Sequence, residues 1–215
     1  MAESQAVIKV NCFMVGMVQT NFYYLHREGS KETIAFDPAD LGDRICDELD
    51  KQGLEVKAIF LTHAHFDHIM GLEAMKNRTG APVYIGVNEK RLCQSPQLNQ
   101  STSVGRPTVV KADHFLEDGD TVTVAGITLK TIFTPGHTEG SCAYYIEDGD
   151  ILISGDTLFQ GSIGRSDLPT GDGELLMNSI RTRLYTLPDD TVVFSGHGDS
   201  TTIGYEKTHN WFVRA

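Results

Sequence analysis

Four runs of β-branched and aromatic residues each lead directly into a histidine or an aspartate. They are A-I-F-L-T-H-A-H-F-D-H (58–68), T-I-F-T-P-G-H-T (131–138), I-L-I-S-G-D-T (151–157) and V-V-F-S-G-H-G (192–198). Runs of this kind read as buried strands, so the polar residue falls just past the strand's C-terminal end each time. Open α/β architectures gather their reactive groups in the crevice outside those ends. The pattern therefore predicts an α/β fold in which distant segments deliver His and Asp side chains to one edge. Glycine beside three of these residues lets the backbone turn sharply and approach closely.

Helical patterns lie between the strands. With those of the four runs included, strands read over 6–12, 21–27, 32–36, 56–62 and 83–86, and near 121–125, 127–134, 141–147, 150–154 and 191–195. Leu41, Ile45 and Leu49 at four-residue steps, with Gly53 past the end, predict a helix over 40–52. A second helix is predicted over 69–79 with Gly80 as its stop, and a short one over 88–93. Leu175, Leu176, Ile180 and Leu184 on one side predict another over 172–185. The polar segment 94–107 carries two prolines and reads as a surface loop, a candidate join between two halves. Residues past 195 read as a polar-aromatic tail. At 215 residues with no internal repeat, the chain is expected to be one domain spanning 1–215.

Asp plus Glu outnumber Lys plus Arg by 29 to 18, a net charge of −11, and no basic block occurs. Nucleic acid binds clustered cations, so it is disfavoured as a partner. No apolar run approaches the ~18 residues a membrane helix needs. The opening M-A-E-S-Q-A-V-I-K-V lacks the basic start and long apolar centre of a signal peptide. A cytoplasmic protein without a membrane partner is expected, and the widely spaced Cys12, Cys46, Cys93 and Cys142 fit reduced, mostly buried thiols. Oligomeric state is not readable from the pattern.

His63, His65, Asp67 and His68 occupy relative positions 0, 2, 4 and 5. In an extended segment His63, His65 and Asp67 share a face. The chain then turns into the helix near Ile69 and His68 points elsewhere, which offers two groups of ligands rather than one. Burying four such side chains without a metal is costly, because each needs its own hydrogen-bond partner. The competing reading is a helix start capped by Asp67 with incidental histidines. His137, Asp156 and His197, each placed after a later strand, argue against it. His26, His114 and His209 lack that context and read as ordinary surface or core residues.

T-H-A-H-F-D-H resembles the H-x-H-x-D-H signature of the metallo-β-lactamase superfamily, and His137, Asp156 and His197 match its three later ligand positions in order. Within that superfamily the chain is most similar to hydroxyacylglutathione hydrolases, the glyoxalase II group, and above all to their short single-domain members. P-G-H-T-E-G-S (135–141), G-D-T-L-F (155–159) and G-S-I-G-R-S-D-L-P (161–169) carry this likeness. The resemblance implies an αβ/βα four-layer sandwich, two packed mixed sheets with helices outside. It implies that His63, His65 and His137 hold one divalent metal ion, that Asp67, His68 and His197 hold a second, and that Asp156 bridges them. Imidazole and carboxylate ligands suit zinc, and also iron and manganese.

The implied reaction is hydrolysis of a small-molecule thioester such as S-lactoylglutathione by a water activated between the ions. Asp67, as the catalytic residue, orients that nucleophile or handles its proton. Three other readings stay open. One is a persulfide dioxygenase using a single iron on His63, His137 and Asp156. Another is a lactone or β-lactam hydrolase, and the last is a metal-holding scaffold without turnover. Arg165 is a candidate for a substrate carboxylate or for bracing its loop, with an ion pair to Asp167 as the competing reading. Phe159 is a candidate for lining the pocket, and Tyr205 and Lys207 fall in the tail near the implied metal face. Eighteen residues follow His197, fewer than the helical extension that holds glutathione in longer members, so an open pocket is expected.

Overall fold

The computed structural model describes residues 6–214, so the first five residues of the stretch read for a leader lie outside the described residues. Six strands, β1 (Ile8–Val15), β2 (Thr20–Arg27), β3 (Glu32–Phe36), β4 (Glu55–Phe60), β5 (Val83–Gly86) and β6 (His114–Leu116), lie side by side in chain order. The first three pair antiparallel and the last four parallel. A second sheet is built from β7 (Thr121–Val124), β8 (Ile127–Phe133), β9 (Cys142–Ile146) and β10 (Ile151–Gly155). After a small separate hairpin of β11 (Leu158–Phe159) and β12 (Ser162–Ile163), it is completed by β13 (Val192–Ser195) and β14 (Thr201–Thr202). Its order is β14-β13-β10-β9-β8-β7. Because β8 and β10 both oppose β9, and β13 runs parallel to β10, these three strands point the same way.

Alternation along the strands builds four layers. On β3, Ile34 and Phe36 face the second sheet, where they join Leu129, Tyr144, Ile151 and Ile153 in the middle of the molecule. Ala35 points the other way, towards Ile45 and Leu49 of α1 (Gly42–Lys51) and Met75, downstream of the short α2 (Phe66–Ile69), on α3 (Leu72–Thr79). The same outer layer takes Leu92 of α4 (Lys90–Gln94). On β10, Leu152 leaves the central core and packs with Leu176 of α5 (Gly173–Ser179) and Ile203 of α6 (Ile203–His209). This period-two division of apolar residues is what a sheet covered on both faces requires. The expected αβ/βα sandwich is the fold observed. No helix among the described residues is long and apolar enough to cross a membrane.

Several expected elements shift for local reasons. The helix predicted over 69–79 is two pieces, because the Gly71 amide donates to Pro38 O at 2.8 Å instead of continuing the helical ladder. Leu41 adopts φ 53° at the start of α1 and is 45% exposed, so Ile45, Cys46 and Leu49 form the buried stripe without it. Leu175 likewise faces solvent, while Leu176, Ile180 and Leu184 are buried, and α5 continues as a π-helical turn over Ile180–Leu184. The polar segment 94–107 is not a plain surface loop. Asn99 and Ser101 are fully buried, and the Phe66 amide donates to Asn99 O at 2.8 Å. Nor is it the join between the halves, which falls at 117–120 between β6 and β7. The tail carries β14 and the helix α6. Three of the four cysteines are buried, Cys12 is exposed, and all four are free thiols.

The two sheets are stitched along the edge where β4, β8, β10 and β13 end. The Cys142 amide donates to Thr62 O at 2.9 Å and the Asn21 amide to Gly196 O at 2.8 Å. The Tyr144 hydroxyl donates to Leu61 O at 2.8 Å.

Candidate metal centre

All seven residues singled out from the sequence meet at this stitched edge. His63, His65, Asp67 and His68 follow β4, His137 follows β8, Asp156 follows β10 and His197 follows β13. Their donor atoms fall into overlapping sets able to hold a metal ion: His63, His65 and His137; His63, His68 and Asp156; and Asp67, His68 and His197. Asp67 does not share a face with His63 and His65, as an extended segment required. Helix α2 starts at Phe66, three residues earlier than expected, and carries Asp67 round to the side of His68 and His197. His26, His114 and His209 take no part in these sets.

Neighbouring hydrogen bonds fix which ring nitrogens carry protons. His137 Nδ1 lies 2.6 Å from the Arg165 carbonyl oxygen, which can only accept, so Nδ1 carries the proton and Nε2 a lone pair. The Thr62 hydroxyl donates to Asp37 Oδ2 at 2.7 Å and so accepts from His63 Nδ1 at 3.1 Å. His63 Nε2 therefore also presents a lone pair, and it faces His137 Nε2 at 3.2 Å. His65 Nδ1 stands 2.8 Å from the same atom. On the other side His68 Nδ1 donates to Asp37 Oδ2 at 3.0 Å. Its Nε2 then points at Asp156 Oδ1 at 3.4 Å and Asp67 Oδ2 at 3.6 Å.

Facing lone pairs repel, and His68 Nε2 and Asp156 Oδ1 are buried without a hydrogen-bond partner. A cation between them removes both penalties. The spacings fit one: His197 Nε2 is 3.2 Å from Asp67 Oδ2 and 3.5 Å from Asp156 Oδ2. These lengths are poor hydrogen bonds but match the edge of about 3.3 Å of a tetrahedron with bonds of about 2.05 Å. Asp156 serves both sides, its Oδ1 towards His68 and its Oδ2 3.6 Å from His137 Nε2. Glycine at 196 makes this approach possible, since a methyl group there would land on the Asp156 carboxylate and the His68 ring.

The electrostatics follow from burial and crowding. Burial, reinforced by the neighbouring imidazoles, holds His63 well below the ordinary histidine value, and burial takes His65 down to about 3. Burial opposes charge on His68 too, but Asp67, Asp156 and Asp37 outweigh it and raise its pKa. Burial also disfavours the ionised form of Asp156, yet His68 and His197 keep that carboxyl well below its usual range. The centre thus pairs neutral rings on one side with a carboxylate-rich pocket for positive charge on the other. His197, with 28% of its side chain exposed, opens it to solvent.

Two acidic residues contribute that the sequence reading did not select. Asp37, in a left-handed backbone conformation just past β3, takes both the Thr62 amide and hydroxyl and the His68 ring. Its signal was available, for it too follows a strand directly. Glu89 is fully buried beside the His63–His65 segment, and nothing in its local sequence marks it. The Arg165 side chain turns away to Asp167, bonded at 2.7 and 2.8 Å, and only its carbonyl touches the centre. Phe159 stands edge-on to His197, with 6.1 Å between ring centres. Tyr205 stacks on His209, and Lys207 is tied to Asp189, so neither reaches the donors.

A four-layer fold with this donor set defines a metal-dependent enzyme. Residues 15–197 match the metallo-beta-lactamase superfamily, and the chain belongs to it. It is 42% identical to the probable metallo-hydrolase YqgX of Bacillus subtilis, over 93% of this chain and 94% of that protein. It is 34% identical to the hydroxyacylglutathione hydrolase GloC of Haemophilus influenzae, over 87% of this chain and 90% of that one. Among solved structures, the BLEG-1 B3 metallo-beta-lactamase is similar with a TM-score of 0.91 at 41% identity, covering 96% of this chain and 100% of that chain. TTHA1623 in a di-iron-bound form gives 0.84 at 32% identity, covering 94% and 100%.

Proposed function

We propose that this protein is a binuclear metallohydrolase acting on a small-molecule thioester such as S-lactoylglutathione. The observation that carries the reading is the position of Asp156, one carboxylate shared by two donor groups. His63, His65 and His137 would hold one ion, and Asp67, His68 and His197 the other. Divalent ions held there would supply a water of lowered pKa and Lewis-acid polarisation of a carbonyl oxygen. Burial resists charge on Asp67, but His68 and His197 keep it ionised, so it serves as an acceptor that orients the attacking water. The Thr20 hydroxyl holds that carboxylate in place at 3.0 Å. The leaving group is a thiolate, whose parent thiol has a pKa of about 8.5, so it departs without a strong acid. Phe159 offers an apolar wall beside His197. Similarity to GloC over most of both chains supports the thioester among possible acyl substrates.

The test is metal analysis of the purified protein beside a panel of thioesters read by free-thiol release. Two equivalents of metal and thiol release from S-lactoylglutathione are expected. Oxygen uptake with glutathione persulfide in the absence of thioester cleavage would replace the hydrolase with a dioxygenase. The likeness to BLEG-1 favours a second reading, a β-lactam hydrolase, and a chromogenic cephalosporin in the same panel separates the two.

A further inference from the structure

Glu89 ends a short 3₁₀ turn, Val87–Glu89, and its side chain is fully buried. A carboxylate is costly to bury unless it is fully hydrogen-bonded. Its Oε1 accepts the Ala64 amide at 2.9 Å and its Oε2 the Thr138 hydroxyl at 2.9 Å. Ala64 lies between His63 and His65, and Thr138 follows His137. One carboxylate thus ties together the two loops that supply His63, His65 and His137.

The fit leaves no slack. A methyl group at Gly140 would collide with the Glu89 backbone and carboxylate, and one at Gly86 would meet Gly140 O at 3.1 Å. The Asp67, His68 and His197 group has other supports, Asp37 on His68 and Thr20 on Asp67. We propose that Glu89 is a positioning residue that sets the spacing of the His63, His65 and His137 group alone. The proposal rests on the binuclear reading, and it gives the first group a support of its own besides the Asp37–Thr62 contact that also reaches His63.

Equilibrium zinc titration of metal-stripped protein tests this in two backgrounds. His197→Ala leaves the first group to bind, and His65→Ala leaves the second. Glu89→Ala should weaken zinc about 10–100-fold in the first background, the usual cost of losing an outer partner of a metal ligand, and less than about 3-fold in the second. Glu89→Gln should recover most of the loss, because its amide oxygen still accepts the Ala64 proton. Equal weakening in both backgrounds, or none in either, overturns the proposal and leaves the binuclear reading standing. Wild-type protein that takes up fewer than two zinc ions overturns the binuclear reading and this proposal with it. If Glu89→Ala does not fold, Thr138→Val removes one bond to Glu89 and should weaken the first group several-fold. No change in that variant also overturns the proposal.

Discussion

Asp37 Oδ2 accepts the Nδ1 proton of His68 at 3.0 Å, although 31 positions of sequence separate the two residues. The parallel pairing of β3 and β4 brings them together at one sheet edge. The same oxygen takes the Thr62 hydroxyl, which in turn orients His63. Asp37→Asn puts an amide nitrogen where an acceptor is needed. Metal affinity is expected to fall about 10–100-fold, as for other outer partners of metal-binding histidines, and kcat/KM to fall with it. Equilibrium dialysis of the variant against zinc buffers measures the first, and wild-type affinity would refute the role assigned to Asp37.

Asp156 is the one carboxylate that faces His68, His137 and His197 together. Asp156→Ala removes the carboxylate that serves both donor groups and leaves three imidazoles facing a gap. Metal content measured by mass spectrometry should drop, and turnover should be lost nearly completely. A variant with normal metal content and near-normal thioester cleavage would take Asp156 out of the centre.

Protons and metal compete for the same atoms. Burial pulls the pKa of His197 down, but the Asp156 and Asp67 carboxylates facing its Nε2 more than compensate and lift it to about 9 in the metal-free protein. Below that pH an incoming ion displaces a proton, so affinity should climb as pH rises towards about 9, with net proton release. Calorimetric titrations in buffers of different ionisation enthalpy count those protons. Affinity that stays flat between about pH 6 and pH 8 contradicts the expectation.

Burial pushes the Glu89 carboxyl up to about 7 from its ordinary 4.5. Between those values the folded chain keeps a proton that the unfolded chain has released. Stability from this group is therefore complete below about 4.5 and is lost as pH rises through about 7. Glu89→Gln cannot ionise. In metal-stripped protein the difference in unfolding free energy between wild type and this variant should change by about 3 kcal/mol across that range. Denaturant melts at a series of pH values show it, and parallel pH profiles for the two proteins would exclude it.

Arg165 reaches the centre through its backbone, while its guanidinium stays at the surface with Asp167. Arg165→Ala should leave metal content and thioester kcat/KM within about 2-fold of wild type, since the carbonyl on His137 is retained. A large rise in KM instead would restore the side chain as a substrate contact.

The donor set was legible because each member follows a β-rich run, and four of them sit within six residues of chain. The grouping was less so. Spacing alone placed Asp67 beside His63 and His65, whereas the family resemblance grouped it with His68 and His197, and the early start of α2 carries it to that side. Asp37 follows a strand as the donors do, a signal left unused, whereas Glu89 stands alone in sequence with partners 25 and 49 positions away, so no local pattern exposes it. The fold followed the alternation of apolar residues, which survives in β3 and β10. Short pieces such as β6, β14 and α6 were missed because two to seven residues carry too little periodicity.

Backbone bonds from Cys142 to Thr62 and from Asn21 to Gly196 run through the rim of the cage itself. Two halves sewn shut at that line cannot part like a jaw to admit a molecule. Entry and exit fall to the turns beyond the seam, and those turns can lengthen, shorten or change composition while the cage keeps its dimensions. Changes at those turns can thus alter what reaches the seven donors without moving the donors themselves.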